Sequence, residues 1–82
     1  MPATITAGSI EQKIRDVLPE FGVDAGAIAL DATFADLDVD SLDIAELSQI
    51  LEDEYAIRLS DEDLASLETI DDTIKLVLSL AP

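Results

Sequence analysis

The sequence contains no cysteine and no histidine, and each absence removes a class of chemistry. Without cysteine there is no disulfide and no thiol nucleophile, and without either residue most zinc sites and all histidine-dependent catalytic triads are excluded. Aromatic residues make up only 4% of the 82 residues, whereas hydrophobic residues make up 49%. A core built mainly from Leu, Ile, Val and Ala is therefore expected.

Basic residues are also scarce. Four Lys and Arg stand against 19 Asp and Glu, and neither Lys nor Arg occurs between Arg15 and Arg58. The formal net charge of -15 repels nucleic-acid phosphates and anionic lipid and attracts basic protein surfaces. The apolar runs are too short for a membrane span, and no basic segment precedes an apolar one as in a secretory signal. We expect a cytoplasmic monomer that binds neither nucleic acid nor membrane.

Helical periodicity begins near Ser9. Residues 1–8 are predicted to be a flexible tail, and residues 9–80 a single domain. Ser9 with Gln12 forms a capping-box pattern at the start of the first helix. Pro19 should kink this helix or end its regular part near Leu18, and Gly22 should close it. The apolar stripe of this helix comprises Ile10, Ile14, Val17, Leu18 and Phe21.

The middle of the chain predicts a long loop followed by the second helix. The loop, residues 23–36, should be pinned by apolar side chains, namely Ile28, Leu30, Phe34 and Leu37. The second helix is predicted from about Ser41 to Glu54, with Asp40 as its cap. Its buried face comprises Ile44, Leu47, Ser48, Leu51 and Tyr55.

The last part of the chain predicts a short helix and a longer one. Ile57 and Leu59 fit an extended link with both side chains turned inward. Ser60 with Asp63 marks the start of the short helix, and Thr69 with Asp72 the start of the last one. The apolar stripe of the last helix comprises Ile70, Ile74, Val77 and Leu78. The fold class predicted is all-α, a small four-helix bundle with three longer helices and one short helix.

The stretch "DLDVDSLDIAEL" admits a calcium-binding interpretation. Asp36, Asp38 and Asp40 occupy positions 1, 3 and 5 of an EF-hand-type loop. Such a loop also needs glycine at position 6 and a bidentate glutamate at position 12, which are here Ser41 and Leu47. A dedicated metal site is not predicted, although weak binding of a divalent cation by these acids remains open.

Ser41 also fails as an enzymatic nucleophile. A reactive serine needs a neighbouring base, and the chain has no histidine. Lys13 and Lys75 are distant in sequence, and no G-x-S-x-G motif is present. On residue type alone, Ser41 is best interpreted as an ordinary first-turn serine.

A family resemblance changes that interpretation. The segment "DLDVDSLDIAELSQILEDEY" resembles the attachment segment of acyl carrier proteins, which has an Asp-Ser-Leu triplet at the start of the second helix. The resemblance extends from the Ser9 helix to "TIDDTIKLVLSL". It implies that the chain is not an enzyme. It implies that 4'-phosphopantetheine from coenzyme A is attached to Ser41 and carries acyl intermediates as thioesters.

The resemblance also implies partners and a place for the cargo. Partners would be a phosphopantetheinyl transferase and fatty-acid or polyketide synthase enzymes, such as acyltransferases, ketosynthases, ketoreductases and dehydratases. The predicted docking face comprises Asp40, Leu42, Asp43, Ala45, Glu46, Gln49 and Asp53. The predicted acyl-chain lining comprises Leu47, Ser48, Leu51, Ile57, Leu64 and Ile74.

Departures from the family pattern leave the pathway open. Many members have glycine where this chain has Asp38, and Ser48 and Gln49 stand where apolar residues are common. "DSLD" leans towards the fatty-acid-like group. An aminoacyl or peptidyl carrier is an alternative within the class. Outside it, an acidic cation- or protein-binding module without a prosthetic group is the alternative.

Overall fold

Four α-helices build the part of the chain that the computed structural model describes, residues 5–81. They are α1 (Ala7–Val17), α2 (Ser41–Tyr55), α3 (Asp61–Ala65) and α4 (Ile70–Leu80). No β-strand occurs in this range, where only an isolated bridge pairs Thr33 with Thr69. The predicted fold class, three longer helices and one short helix, is confirmed.

Helix α1 begins earlier than the sequence predicted. Its N-cap is Thr6, whose hydroxyl accepts a hydrogen bond from Ser9 N while Ser9 Oγ accepts one from Thr6 N, both at 3.1 Å. The predicted capping box of Ser9 with Gln12 is wrong because Ser9 itself is the third helical residue of an earlier box. The predicted tail over residues 1–8 is wrong at Ala7 and Gly8, which are helical, and residues 1–4 lie outside the described range.

Pro19 and Gly22 end the first helical segment as predicted. Helix α1 gives way after Val17 to a tight 3-10 turn, Leu18–Phe21. Proline lacks the N–H that a continuing α-helix would use, and its ring clashes with the preceding turn. Gly22 then adopts a left-handed conformation with φ of 91°, which reverses the chain without a side-chain penalty.

The core is almost entirely aliphatic. Its buried hydrophobic residues are Ile10, Ile14, Val17, Leu18, Val23, Ile28, Phe34, Leu37, Val39, Leu47, Leu51, Ile70, Ile74 and Val77. Phe34 is the one aromatic side chain among them, in keeping with the aromatic-poor composition. The core draws on α1, α2, α4 and the long loop, so that loop is part of the packed interior.

Two leucines predicted to be buried are not. Leu30 is 44% exposed and Leu78 is 38% exposed. Leu30 is held through its backbone, since its carbonyl accepts a hydrogen bond from Asp71 N at 2.9 Å. On α4 the buried position is taken by Thr73, whose hydroxyl donates to the Thr69 carbonyl, so Leu78 lies at the edge of the stripe.

The long loop is fastened to the turn that precedes α4. Phe34 N donates to the Glu68 carbonyl at 3.0 Å, and Ile70 N donates to the Ala32 carbonyl at 3.1 Å. On its other side, Arg15 Nη1 donates to the Ile28 carbonyl at 2.7 Å. These bonds satisfy backbone groups that helices do not pair, and they fix the loop to α1 and to the start of α4.

The link between α2 and α3 follows the predicted alternation. Ile57 and Leu59 are half-buried and Arg58 is exposed. Both predicted capping boxes are present: Ser60 with Asp63 begins α3, and Thr69 with Asp72 begins α4. Within residues 5–81 no helix combines the length and the apolar character that crossing a bilayer requires.

Candidate functional site

Ser41 is the first residue of α2, and its position is set by its neighbour. Asp40 is the N-cap, and its carboxylate accepts a hydrogen bond from Asp43 N at 2.9 Å. Ser41 is exposed, and its hydroxyl makes no hydrogen bond with any residue in the range 5–81. The capping is done by Asp40, so the Ser41 hydroxyl is available to a reactant from outside.

A sharp turn before α2 presents Ser41 to solvent. Asp38 has a φ of 57°, in the left-handed region that favours glycine. Val39 follows with its side chain buried and its N–H donating to the Phe34 carbonyl at 2.9 Å. Because Val39 is anchored inward, Asp40 and Ser41 emerge on the outside. A glycine at this position would adopt the turn at lower cost.

The local electrostatics combine two opposing effects. The free N–H groups in the first turn of α2 favour a negative group at Ser41. Asp38, Asp40 and Asp43 oppose such a group by like charge. A phosphodiester on Ser41 would therefore meet favourable backbone donors at short range and an unfavourable acidic field around them.

The calcium-loop interpretation does not fit this geometry. Such a loop would have to run on to Leu47, whereas α2 is already helical from Ser41. In the described part of the chain, no three acidic side chains converge closely enough to hold a metal ion. The acids around Ser41 are arranged as a cap and a turn.

The residues predicted for docking lie on the outward side of α2. Leu42 is 75% exposed, an unusual state for a leucine, and it follows Ser41 directly. Asp43 is half-buried, whereas the remaining predicted residues are exposed: Asp40, Ala45, Glu46, Gln49 and Asp53. The opposite side of α2 packs into the core through Leu47, Ser48 and Leu51. The structure thus brings the predicted docking residues together on one surface beside Ser41.

The residues predicted to line an acyl chain are packed more tightly. Leu47, Ser48, Leu51 and Ile74 are buried, and Ile57 and Leu64 are half-buried. Ser48 Oγ donates to the Ala45 carbonyl at 2.7 Å, so its hydroxyl is already engaged one turn back on the same helix.

A cavity of about 430 Å³ opens next to Ser41, and sequence reasoning missed it. Its lining comprises Thr33, Phe34, Ala35, Val39, Ile44, Leu67 and Glu68. Val39 lies two residues before Ser41 and Ile44 three residues after it, so part of the cavity wall is close to the serine. None of the predicted lining residues contributes to this cavity. The sequence predicts two of its lining residues to pack inward, Phe34 from the loop and Ile44 from α2, but not to line a cavity.

These features match a known kind of protein. The sequence profile described as the phosphopantetheine attachment site matches residues 10–77. The chain belongs to this family. An acyl carrier protein from Thermotoga maritima has 28% sequence identity to the chain and a TM-score of 0.80. That alignment covers 90% of this chain and 88% of the other.

Membership of this family indicates the general role of the chain. It is a non-enzymatic carrier of the acyl carrier protein family, and its family carries covalently attached 4'-phosphopantetheine. The structure fits that group, because a serine with an unengaged hydroxyl stands at a helix start beside an apolar cavity. The prosthetic group supplies the thiol that this cysteine-free chain lacks.

Proposed function

We propose that the chain carries acyl intermediates as thioesters on a 4'-phosphopantetheine arm attached to Ser41. The observation that carries this proposal is the exposed, unbonded hydroxyl of Ser41 at the first position of α2. Asp40 supports it by capping the helix, which leaves the serine free of a structural role. The chain provides the attachment point and contributes no catalytic group.

Transfer of the arm to Ser41 requires positive charge that the transferase must supply. The acids around Ser41 oppose the approach of the phosphates of coenzyme A. A phosphopantetheinyl transferase must therefore bring cations, from a metal ion or from basic side chains. Once formed, the phosphodiester is favoured by the free N–H groups of the first turn of α2.

The proposed partners are fatty-acid or polyketide synthase enzymes with basic docking surfaces. The exposed face of α2 supports this, since it places Leu42 among the acidic side chains Glu46 and Asp53. Charge complementarity would speed association, and Leu42 offers an apolar contact next to Ser41, at the start of the helix. The net charge of -15 disfavours self-association, in keeping with a proposed monomeric state.

The proposed cargo is an acyl chain that lies first in the cavity beside Ser41. Its mostly apolar lining supports an acyl chain as cargo. We propose that longer chains pass inward between α2 and α3, where Ile57 and Leu64 are half-buried. Reaching Leu47, Ser48, Leu51 or Ile74 would require the core to open, because all four are buried.

Intact mass spectrometry tests the attachment site. The protein is incubated with coenzyme A and a broad-specificity phosphopantetheinyl transferase, and its mass is compared before and after. We expect the wild type to gain the mass of one phosphopantetheine and Ser41→Ala to gain nothing. Ser79→Ala is the matched control, since Ser79 is also an exposed helical serine and its variant should be modified normally. A wild type that stays unmodified beside an active positive control would refute the carrier function and favour an acidic binding module.

A further inference from the structure

The cavity beside Ser41 has one ionisable group in its lining. Five of its lining residues are apolar: Phe34, Ala35, Val39, Ile44 and Leu67. Of the other two, Thr33 carries a neutral hydroxyl that accepts a hydrogen bond from Asp36 N at 3.0 Å. Glu68 is the remaining one, and it carries a carboxylate.

The backbone of Glu68 is fixed while its side chain is not engaged. Its carbonyl accepts the hydrogen bond from Phe34 N at 3.0 Å, which joins two walls of the cavity. Its carboxylate makes no hydrogen bond and no ion pair within the described residues. The cations that do form ion pairs there, Lys13, Arg15 and Lys75, pair with Glu54, Glu11 and Asp71.

A carboxylate without an ion-pair partner affects which acyl groups can bind in the cavity beside it. Glu68 is exposed, so water screens part of its charge, but a second carboxylate brought next to it is still repelled. The surrounding charge strengthens the effect, because the whole chain has a net charge of -15. A neutral acyl chain meets none of this repulsion and gains from leaving water.

We propose that Glu68 makes the cavity select cargo by charge: neutral acyl chains lie in it, and chains that bear a carboxylate stay in solvent. The proposal rests on the proposed function, since it requires an acyl arm on Ser41. It means that a carboxylate-bearing acyl group remains accessible to partner enzymes, whereas a neutral chain of equal length is shielded.

The test compares two six-carbon cargoes that differ in one terminal group. Hexanoyl- and adipoyl-coenzyme A are used with a broad-specificity transferase to load wild type, Glu68→Gln and Glu20→Gln. The rate of thioester cleavage by hydroxylamine is measured for each and divided by the rate for the same free acyl-coenzyme A. Backbone amide shifts of Ile44 and Leu67 report whether the chain lies in the cavity.

We expect wild type to protect hexanoyl about tenfold more than adipoyl, a ratio that corresponds to 1.4 kcal/mol. In Glu68→Gln the ratio should fall clearly below that of wild type, because the repulsion is removed while the cost of desolvating the adipoyl carboxylate remains. Adipoyl should then also shift the amides of Ile44 and Leu67. Glu20 is exposed, as Glu68 is, but it does not line the cavity, so Glu20→Gln removes the same charge and should behave as wild type.

Three results would overturn the proposal. They are equal protection of both cargoes in wild type, an unchanged ratio in Glu68→Gln, or the same change in Glu20→Gln, which would show a general charge effect. Failure of the proposed function is distinguishable, because the intact mass would then show no loading of Ser41 by either cargo.

Discussion

At the scale of single residues, two non-glycine residues have a left-handed backbone. Asp38 has a φ of 57° at the turn before α2, and Ala56 has a φ of 53° at the end of that helix. For most L-residues this conformation costs about 1–2 kcal/mol, and aspartate tolerates it better than alanine does. Asp38 lies in the turn that presents Ser41, whereas Ala56 only terminates α2 before the link to α3.

Replacing Ala56 by glycine should therefore stabilise the protein. Ala56→Gly removes the contact between Cβ and the backbone at the helix end, and we expect the free energy of unfolding to rise by about 0.5–1 kcal/mol. For a domain of this size, 1 kcal/mol corresponds to about 4–8 °C in the melting temperature. Thermal and urea unfolding measure both quantities.

Ala45→Gly is the matched control for this prediction. Ala45 is an exposed residue within the same helix, where glycine loses more conformational freedom on folding. Its variant should be less stable by about 0.5–1 kcal/mol. If both variants lost stability, the left-handed conformation of Ala56 would not be the source of strain.

At the scale of elements, α2 has a buried side and an exposed side with different roles. One side is buried through Leu47, Ser48 and Leu51 and holds the helix in the core. The other side exposes Leu42, Glu46 and Asp53, along a face that begins at Ser41. Because the two functions use different sides, surface charges on α2 can be changed without disturbing the packing.

Glu46→Lys should weaken docking and leave the fold intact. Glu46 is exposed, so the free energy of unfolding should change by no more than about 0.5 kcal/mol. A lysine there repels basic partner surfaces, so modification by the transferase and loading by a synthase enzyme should slow, chiefly through slower association. Both rates and the melting temperature are measured at two salt concentrations.

Glu20→Lys provides the comparison for docking. It makes the same change of charge at an exposed residue that belongs neither to α2 nor to the predicted docking face. The deficit of Glu46→Lys should exceed that of Glu20→Lys and shrink as salt rises. Equal deficits would mean that total charge alone governs association, and unchanged rates in a folded Glu46→Lys protein would refute the docking face.

At the scale of the whole molecule, charge and packing act against each other. An aliphatic core of modest size must hold together a chain with 19 acidic and four basic residues. Three ion pairs occur within residues 5–81, namely Lys13–Glu54, Arg15–Glu11 and Lys75–Asp71. Self-repulsion therefore lowers the stability of the folded state.

Added salt should raise the melting temperature. Screening by NaCl weakens repulsion between exposed acids, and magnesium or calcium should act more strongly at equal ionic strength because the acids from Asp36 to Asp43 are dense. Thermal melts at low ionic strength, with and without each salt, measure the effect. A rise of about 4–8 °C would correspond to 1 kcal/mol of relieved repulsion. A melting temperature that does not move with any of these salts would contradict the prediction.

Local signals in the sequence were sufficient for most helix boundaries. Asp40 with Asp43, Ser60 with Asp63 and Thr69 with Asp72 each form bonds across three residues, so the sequence contains both partners side by side. Pro19 and Gly22 likewise act through their own backbone. The exception was α1, where Ser9 fits two overlapping caps and local chemistry alone does not choose between them.

The sequence by itself thus determined the helices, the acidic surface and the serine at the start of α2, because each depends on residues close together in the chain. Only the tertiary structure decided the direction of Leu30 and Leu78 and the cavity that joins Thr33 to Glu68. Those features depend on the bond between Phe34 and Glu68 and on packing across the loop. Contacts between residues so far apart in sequence leave no periodic pattern, so they arise only when the chain is folded.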